Sequence, residues 1–322
     1  MLETAAMNKV ILLIGPTGVG KTGSAILLAR ALSTEVISSD SMQIYRHMDI
    51  GTAKPSPSEL KGVRHHMIDI VEPSESYSVG RYIADVAPII DSLHVRGKIP
   101  VVTGGTGLYT KAMTRGLFKG PSADWQLRQG LLKMEEEKGA SLYEYLKRLD
   151  PQAAEGIMPA DVRRTLRAVE VCLLGGLKMS EAKATLTKPL PYEFIKIGLR
   201  RQRPELYEML DKRADEMLRR GLLDEVGRVL LMNPSSTAMQ AIGYKEIAAY
   251  MEGRYALDEA VRLIKRNTRR YAKRQHTWFG KEEGICWVDV TGLFEAVKIF
   301  KKMVSEVEPL HGIIPHEKKS RG

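Results

Sequence analysis

Apolar residues fall in short runs near the N-terminus and at helical spacing further on, and this change of texture divides the chain. Val10–Ile14 is an apolar run closed at once by Gly15-Pro16, the form of a buried strand. Thr22–Leu32 carries apolar residues at helical spacing, and Val36–Ser39, His66–Val71 and Ile99–Thr103 read as further strands. A helix, Arg81–Val95, precedes the last of these, with a kink or break expected at Pro88. Strands alternating with helices imply βαβ units, hence a parallel sheet covered on both faces.

From about Gly116 the pattern becomes helical. Asp124–Lys138, Ser141–Leu149 and Asp161–Leu174 are separated by Gly139, Asp150-Pro151 and Gly175-Gly176. Lys188–Pro191 ends that block, and Phe194–Leu199 reads as a strand again. Long helices follow at Pro204–Met232 and Ala256–Phe279, then a strand candidate at Ile285–Val290. The economical organisation is an α/β core over 1–115 and 193–314, an all-helical insertion over 116–192, and a disordered basic tail over 315–322.

Composition removes several classes of protein. With 43% hydrophobic and 27% charged residues the chain is an ordinary globular one rather than a disordered one. Val10–Ile14 is far shorter than the ~20 apolar residues of a membrane span or the core of a signal peptide, so no membrane association is expected. Two distant cysteines, Cys172 and Cys286, argue against disulfides and structural zinc and for a reducing cytoplasm.

Charge adds a sharper clue. The balance of 49 basic against 39 acidic residues leaves +10, and 262–274 alone carries seven cations and no acid. Arg262, Lys265, Arg266, Arg269, Arg270, Lys273 and Arg274 share half of a helical wheel. The other stripe holds Leu257, Ala260, Ile264, Tyr271 and Trp278, expected to pack on the protein. A charge run is ordinarily a solvated face. Here no acid within the run relieves the repulsion, so a polyanionic partner is the better reading.

Gly15-Pro16-Thr17-Gly18-Val19-Gly20-Lys21-Thr22 fits G-x-x-x-x-G-K-[ST] between a strand and a helix. This places the sheet among P-loop NTPase-like folds. Its glycines let backbone amides wrap a phosphate, Lys21 adds a point charge, and the Thr22 hydroxyl is placed for Mg²⁺. Asp40, in Asp40-Ser-Met-Gln43, follows the second strand, where the ligand crevice of such a sheet lies. A carboxylate there is either a general base or metal-water ligand, or else a turn or helix-cap aspartate. Gly104-Gly-Thr106-Gly ends a third strand near the same crevice. His65 and His66, as strand neighbours, point to opposite faces and read as structural.

Taken in order, GPTGVGKT at 15–22, DSMQIYRHMDIGTAKP at 40–55, HHMIDI at 65–70, GGTGLY at 104–109, QAIGYKE at 240–246 and RRYAKRQHTWF at 269–279 resemble the bacterial tRNA dimethylallyltransferases, or tRNA isopentenyltransferases, over nearly the whole chain. The resemblance implies transfer of a dimethylallyl group from dimethylallyl diphosphate to N6 of the adenosine 3′ of the anticodon. In that family the P-loop holds the donor diphosphate, although it is often labelled an ATP site. Carried over, Asp40 is the base for the adenine amino proton and Thr106 its neighbour. Lys21 and Thr22 hold diphosphate and Mg²⁺, and Arg213 reaches the diphosphate from outside the loop.

The resemblance assigns contacts with the tRNA anticodon stem-loop to Asp40, Ser41, Met42 and Gln43, to Thr106, and to Gln240, Ala241, Ile242, Gly243, Tyr244 and Lys245. It extends them to Lys273, Arg274, Gln275, His276, Thr277, Trp278 and Phe279, and in the insertion to Arg128, Arg163, Arg164 and Arg167. A cytoplasmic monomer is implied. Gly280 departs from the arginine many relatives carry, which puts a phosphate contact there in doubt unless Lys281 substitutes. The alternative enzyme is a P-loop kinase using ATP on a small substrate, which leaves the basic helix without a task. A GTPase-like RNA-binding switch is weaker still, lacking an N-K-x-D-like element.

Overall fold

The computed structural model describes residues 8–118, 120–138, 141–176, 178–181 and 188–314. The expected basic tail, 315–322, lies outside them. The elements in chain order are β1 (Lys9–Ile14), α1 (Lys21–Ala31), β2 (Val36–Ser38), α2 (Pro57–Leu60), β3 (His65–His66), α3 (Val79–Val95), β4 (Val101–Gly104) and α4 (Gly107–Arg115). Four helices follow: α5 (Trp125–Lys138), α6 (Leu142–Leu149), α7 (Pro151–Glu155) and α8 (Val162–Gly175). The remainder is β5 (Glu193–Arg200), α9 (Arg203–Arg219), α10 (Leu222–Leu230), a 3₁₀ turn at Ala238–Gln240, α11 (Tyr244–Met251), α12 (Leu257–Phe279), β6 (Ile285–Asp289), α13 (Ala296–Glu306) and α14 (Glu308–His311).

The chain forms two compact units, one from 1–110 with 191–322 and the other from 111–190. The first contains a six-stranded sheet of order β3-β2-β4-β1-β5-β6, parallel throughout. It is an α/β fold of the P-loop type. β1 lies inside the sheet, with Ile11 beside Val101 and Lys9 beside Glu193. Val10 to Leu13 are fully buried, as a strand covered on both faces requires. Because the strands are parallel, the turns after β1, β2 and β4 open at the same end of the sheet. Those turns carry the P-loop, Asp40 and Thr106.

The second unit packs α5 to α8 around Leu131, Leu142, Leu146, Ala154, Ile157, Ala168 and Val169. Ser141, Asp150 and Asp161 cap α6, α7 and α8 with their side chains, which is why the helices begin there.

Three elements depart from expectation. The strand expected over His66–Val71 is confined to His65–His66, because Met67 and Asp69 adopt φ of 62° and 54°. Only an isolated bridge, Tyr45 to Val71, follows. The helix expected over Pro204–Met232 is two helices, broken where Gly221 turns at φ 94°. α3 runs on through Pro88, whose exposed position lets water satisfy the carbonyl its ring frees.

Candidate active site

A cavity of about 290 Å³ opens at that end of the sheet, lined among others by Thr17, Gly18, Gly20, Lys21, Thr22, Asp40, Gln43 and Arg213. Gly20, at φ 107°, begins α1 with no side-chain cap, so the first-turn amides are left for a ligand. Pro16 and Val19 face inward and contribute backbone only; Val19 belongs to the core. Lys21 Nζ donates to the Gly15 and Pro16 carbonyls at 2.9 and 2.8 Å. Loss of hydration lowers its pKa to about 7, opposed by the Asp40 carboxylate and assisted by the Arg213 cation. Arg213 donates Nη2 to Thr17 Oγ1 at 2.7 Å, and burial lowers its pKa as well. Two incompletely solvated cations beside uncapped amides make surroundings suited to an anion.

Asp40 forms the opposite charge of the cavity. Its Oδ1 accepts from the amides of Met42 at 2.8 Å and Gln43 at 3.3 Å, an Asx-type turn that fixes the carboxyl plane. Oδ2 has no hydrogen-bond partner among the described residues. The turn arrangement thus occupies one carboxylate oxygen only. Thr106 Oγ1 accepts from the Ser41 amide at 3.0 Å, stitching the turn after β4 to the turn after β2. Behind them the Tyr82 and Tyr109 rings stack at 3.8 Å, and burial raises both hydroxyls far above their usual pKa.

α12 presents its cations differently from the sequence expectation. Lys265 pairs with Asp215 at 2.6 Å, Arg269 with Asp211 at 2.5 Å, and Arg262 with Glu259 at 2.6 Å. The acids come mainly from α9, where their i,i+4 spacing was visible but their partner was not. Arg266, Arg270, Lys273 and Arg274 have no ion pair among the described residues. Trp278, expected to pack inside, is 37% exposed and lies along Gly107, where a Cβ would come within 2.3 Å of its ring.

Several sequence-predicted contacts are internal. Gln275 is 5% exposed: its Oε1 accepts from Thr17 N and its Nε2 donates to Gly105 O, both at 2.8 Å. It bonds α12 to the P-loop and the turn after β4 rather than reaching outward. Phe279, Ala241 and Tyr244 are likewise buried. On the surface lie Lys273, Arg274, His276, Thr277, Gln240 and Lys245, while Ser41, Met42 and Ile242 are half-buried and Gly243 is buried. The cysteines stay free, and among the described residues no cluster suits a protein-only metal centre.

In the second unit, Arg128 and Arg167 both bind the fully buried Glu170 carboxylate, Arg128 at 2.8 Å through two nitrogens. Arg163 and Arg164 are exposed, and Arg164 sits 3.4 Å from Asp161.

The sequence missed His65, which lines the cavity and is kept neutral-leaning by burial, while His66 pairs with Glu35 at 2.7 Å. Glu35 is held at about 2, chiefly by Arg96.

A family model described as "IPP transferase" matches residues 43–282, and one described as "Isopentenyl transferase" matches 8–75. A tRNA dimethylallyltransferase of Thermodesulfovibrio yellowstonii is 50% identical over 94% of this chain and 99% of its own. One from Thermotoga maritima is 44% identical over 92% and 98%. Among solved structures, a tRNA isopentenylpyrophosphate transferase of Bacillus halodurans superposes with TM-score 0.69 at 39% identity, covering 96% of this chain and 100% of that one. A eukaryotic dimethylallyltransferase captured acting on tRNA gives TM-score 0.78 at 29% identity, covering 97% and 81%.

Proposed function

The chain belongs to the tRNA dimethylallyltransferase family, and from that membership and the cavity's chemistry we infer that it transfers a dimethylallyl group from dimethylallyl diphosphate to N6 of the adenosine 3′ of the anticodon. One observation carries the residue assignment: an uncapped helix start with two poorly hydrated cations shares a cavity with a carboxylate whose Oδ2 is free. The kinase alternative is set aside, because relatives spanning 94% of the chain are tRNA-modifying and the basic helix then has a partner.

An allylic diphosphate ionises readily, its developing cation being delocalised, so the enzyme's main task is to stabilise the leaving group. The α1 amides, Lys21 and Arg213 supply that. We assign Asp40 to the adenine amino proton, since an exocyclic amine is a poor nucleophile until it loses one. Thr106, bonded to Ser41, keeps the neighbouring turn in register. The dimethylallyl tail is assigned to the apolar lining of the cavity at Val36, Ala53, Pro55 and Ile68.

Mg²⁺ suits this donor set: it takes one or two protein oxygens plus substrate phosphates, and the Thr22 hydroxyl lines the cavity with no other hydrogen-bond partner among the described residues. When bound, the ion neutralises diphosphate charge. The acceptor must leave the anticodon-loop stack to be reached, and the exposed Arg270, Lys273 and Arg274 of α12 are assigned to its phosphates. We assign the reaction to the cytoplasm on the ground of its tRNA acceptor. Among the described residues no helix is long and apolar enough to cross a membrane.

The test uses two anticodon stem-loop RNAs, with adenosine or guanosine 3′ of the anticodon, and labelled donor. Label in the adenosine RNA alone is expected. Equal labelling of both would overturn the assignment of N6 as acceptor.

A further inference from the structure

Glu225, on α10, is 3% exposed and has no cation paired with it among the described residues. Such a carboxylate is costly unless hydrogen bonds compensate it fully. Its Oε2 accepts from the amides of Asp49 at 3.0 Å and Ile50 at 2.8 Å. Its Oε1 accepts from the Gly51 amide at 3.0 Å and the Tyr244 hydroxyl at 2.5 Å. Four donors on one buried carboxylate make a rigid clamp on the 49–51 turn.

The clamp has two outlets. Tyr244, fully buried, belongs to the Gln240–Lys245 stretch, and its ring closes against Gly51, where a Cβ would lie 2.4 Å from Cε2. On the other side the clamped turn runs into Thr52 and Ala53, which line the cavity, with Ala53 in the left-handed region at φ 51°. Gln43 Nε2 donates to the Thr52 and Ala53 carbonyls at 3.4 and 3.3 Å, and Gln43 N donates to Asp40 Oδ1 at 3.3 Å. Gln43 Oε1 in turn accepts from Ser38 Oγ at 3.1 Å, which fixes the amide. Hydrogen bonds and the short turn thus connect Tyr244 to Asp40 without a gap.

We infer that Glu225 and Tyr244 are positioning residues: through the 49–53 turn and Gln43 they hold Asp40 in its reactive place and tie the Gln240–Lys245 stretch to it. This rests on the assignment of Asp40 as the base. Neither residue touches the reacting atoms in this scheme. Their effect is on where Oδ2 points, and a misplacement of about 1 Å is enough to slow a reaction ~10²-fold.

The test compares four proteins: the parent, Tyr244→Phe, Asp40→Asn and the double variant. Phenylalanine keeps the ring against Gly51 and removes one hydrogen bond. Single-turnover transfer to an unmodified anticodon stem-loop is measured with both substrates saturating, and donor affinity by calorimetry. Tyr244→Phe is expected to slow transfer about tenfold or more while donor Kd stays within about twofold. In the Asp40→Asn background the same change is expected to have no further effect, since the group it positions is gone. An equal fold-loss in both backgrounds, or parental transfer by Tyr244→Phe, overturns the inference. Near-parental transfer by Asp40→Asn alone instead sinks the base assignment, and is read without reference to Tyr244. If Tyr244→Phe melts below the assay temperature, Glu225→Gln makes the same comparison by leaving one clamped donor facing an amide nitrogen.

Discussion

The P-loop cavity and the exposed face of α12 are both cationic, yet they treat charge in opposite ways. Around Gly15–Thr22 the cations are few and short of water: Lys21 is lowered to about 7 and Arg213 is lowered too. On α12, Arg270, Lys273 and Arg274 stand in solvent, and three of their neighbours are already neutralised by Asp211, Asp215 and Glu259. The first arrangement is unfavourable until an anion arrives and so selects one compact, highly charged group. The second is stable alone and suits an extended polyanion held by many weak contacts. Gln275, bonded to Thr17 and Gly105, joins the two.

The largest effect expected is at the point where the two regions serve one reaction. Asp40→Asn preserves the Asx turn and removes basicity, so single-turnover transfer should fall about 10²–10⁴-fold. Calorimetry and filter binding should show donor and tRNA affinities little changed. A melt lowered in step with activity would point to structure instead.

Next, Lys21→Ala breaks the cavity side alone. Loss of a charged hydrogen-bond donor should weaken dimethylallyl diphosphate binding about 10–10²-fold, with tRNA affinity nearly intact. An unchanged donor Kd would mean the loop is misassigned.

The α12 side is sharpened by contrasting two pairs of cations. Changing Arg270 and Lys273 to alanine should lower the log–log salt slope of tRNA binding by about two units. Changing Lys265 and Arg269, which are tied to Asp215 and Asp211, should lower it by less. Equal slopes for the two pairs would erase the distinction.

The smallest effect is a proton. With a pKa of about 7, Lys21 is mostly neutral at pH 8, and a diphosphate beside it favours its charged form. Binding at pH 8 should therefore take up close to one proton, about one per site, seen by calorimetry in buffers of different ionisation enthalpy. Donor affinity should weaken as pH rises from 7 towards 10.5. For the unliganded protein the sign is reversed: the depressed pKa means the unfolded chain binds more protons in that window, so stability rises with pH. Lys21→Met should abolish both effects.

Much of this was legible in the sequence because it is local. The P-loop declares itself by glycine spacing after an apolar strand, and the parallel sheet by alternation of strand and helix. What stayed hidden depends on tertiary partners or on single backbone angles. The apolar spacing of Pro204–Met232 continues across Gly221, so only its φ reveals the break. His66–Val71 alternates like a strand until Met67 and Asp69 turn left-handed. Gln275 sits within a basic, polar run whose pattern suggests solvent, and only the approach of Thr17 and Gly105 shows it to be buried. Glu225 is one acid among several in its stretch of sequence; the amides it holds lie 174–176 residues away.

The central claim is that the cavity's cations serve a prenyl diphosphate and the acceptor is tRNA. It is tested most directly by incubating the protein with bulk unmodified tRNA, offering either labelled dimethylallyl diphosphate or γ-labelled ATP, and digesting the RNA to nucleosides. The account predicts label from the prenyl donor in N6-dimethylallyladenosine and none transferred from ATP. Label passing from ATP to a small acceptor, with the tRNA unmodified, would contradict it.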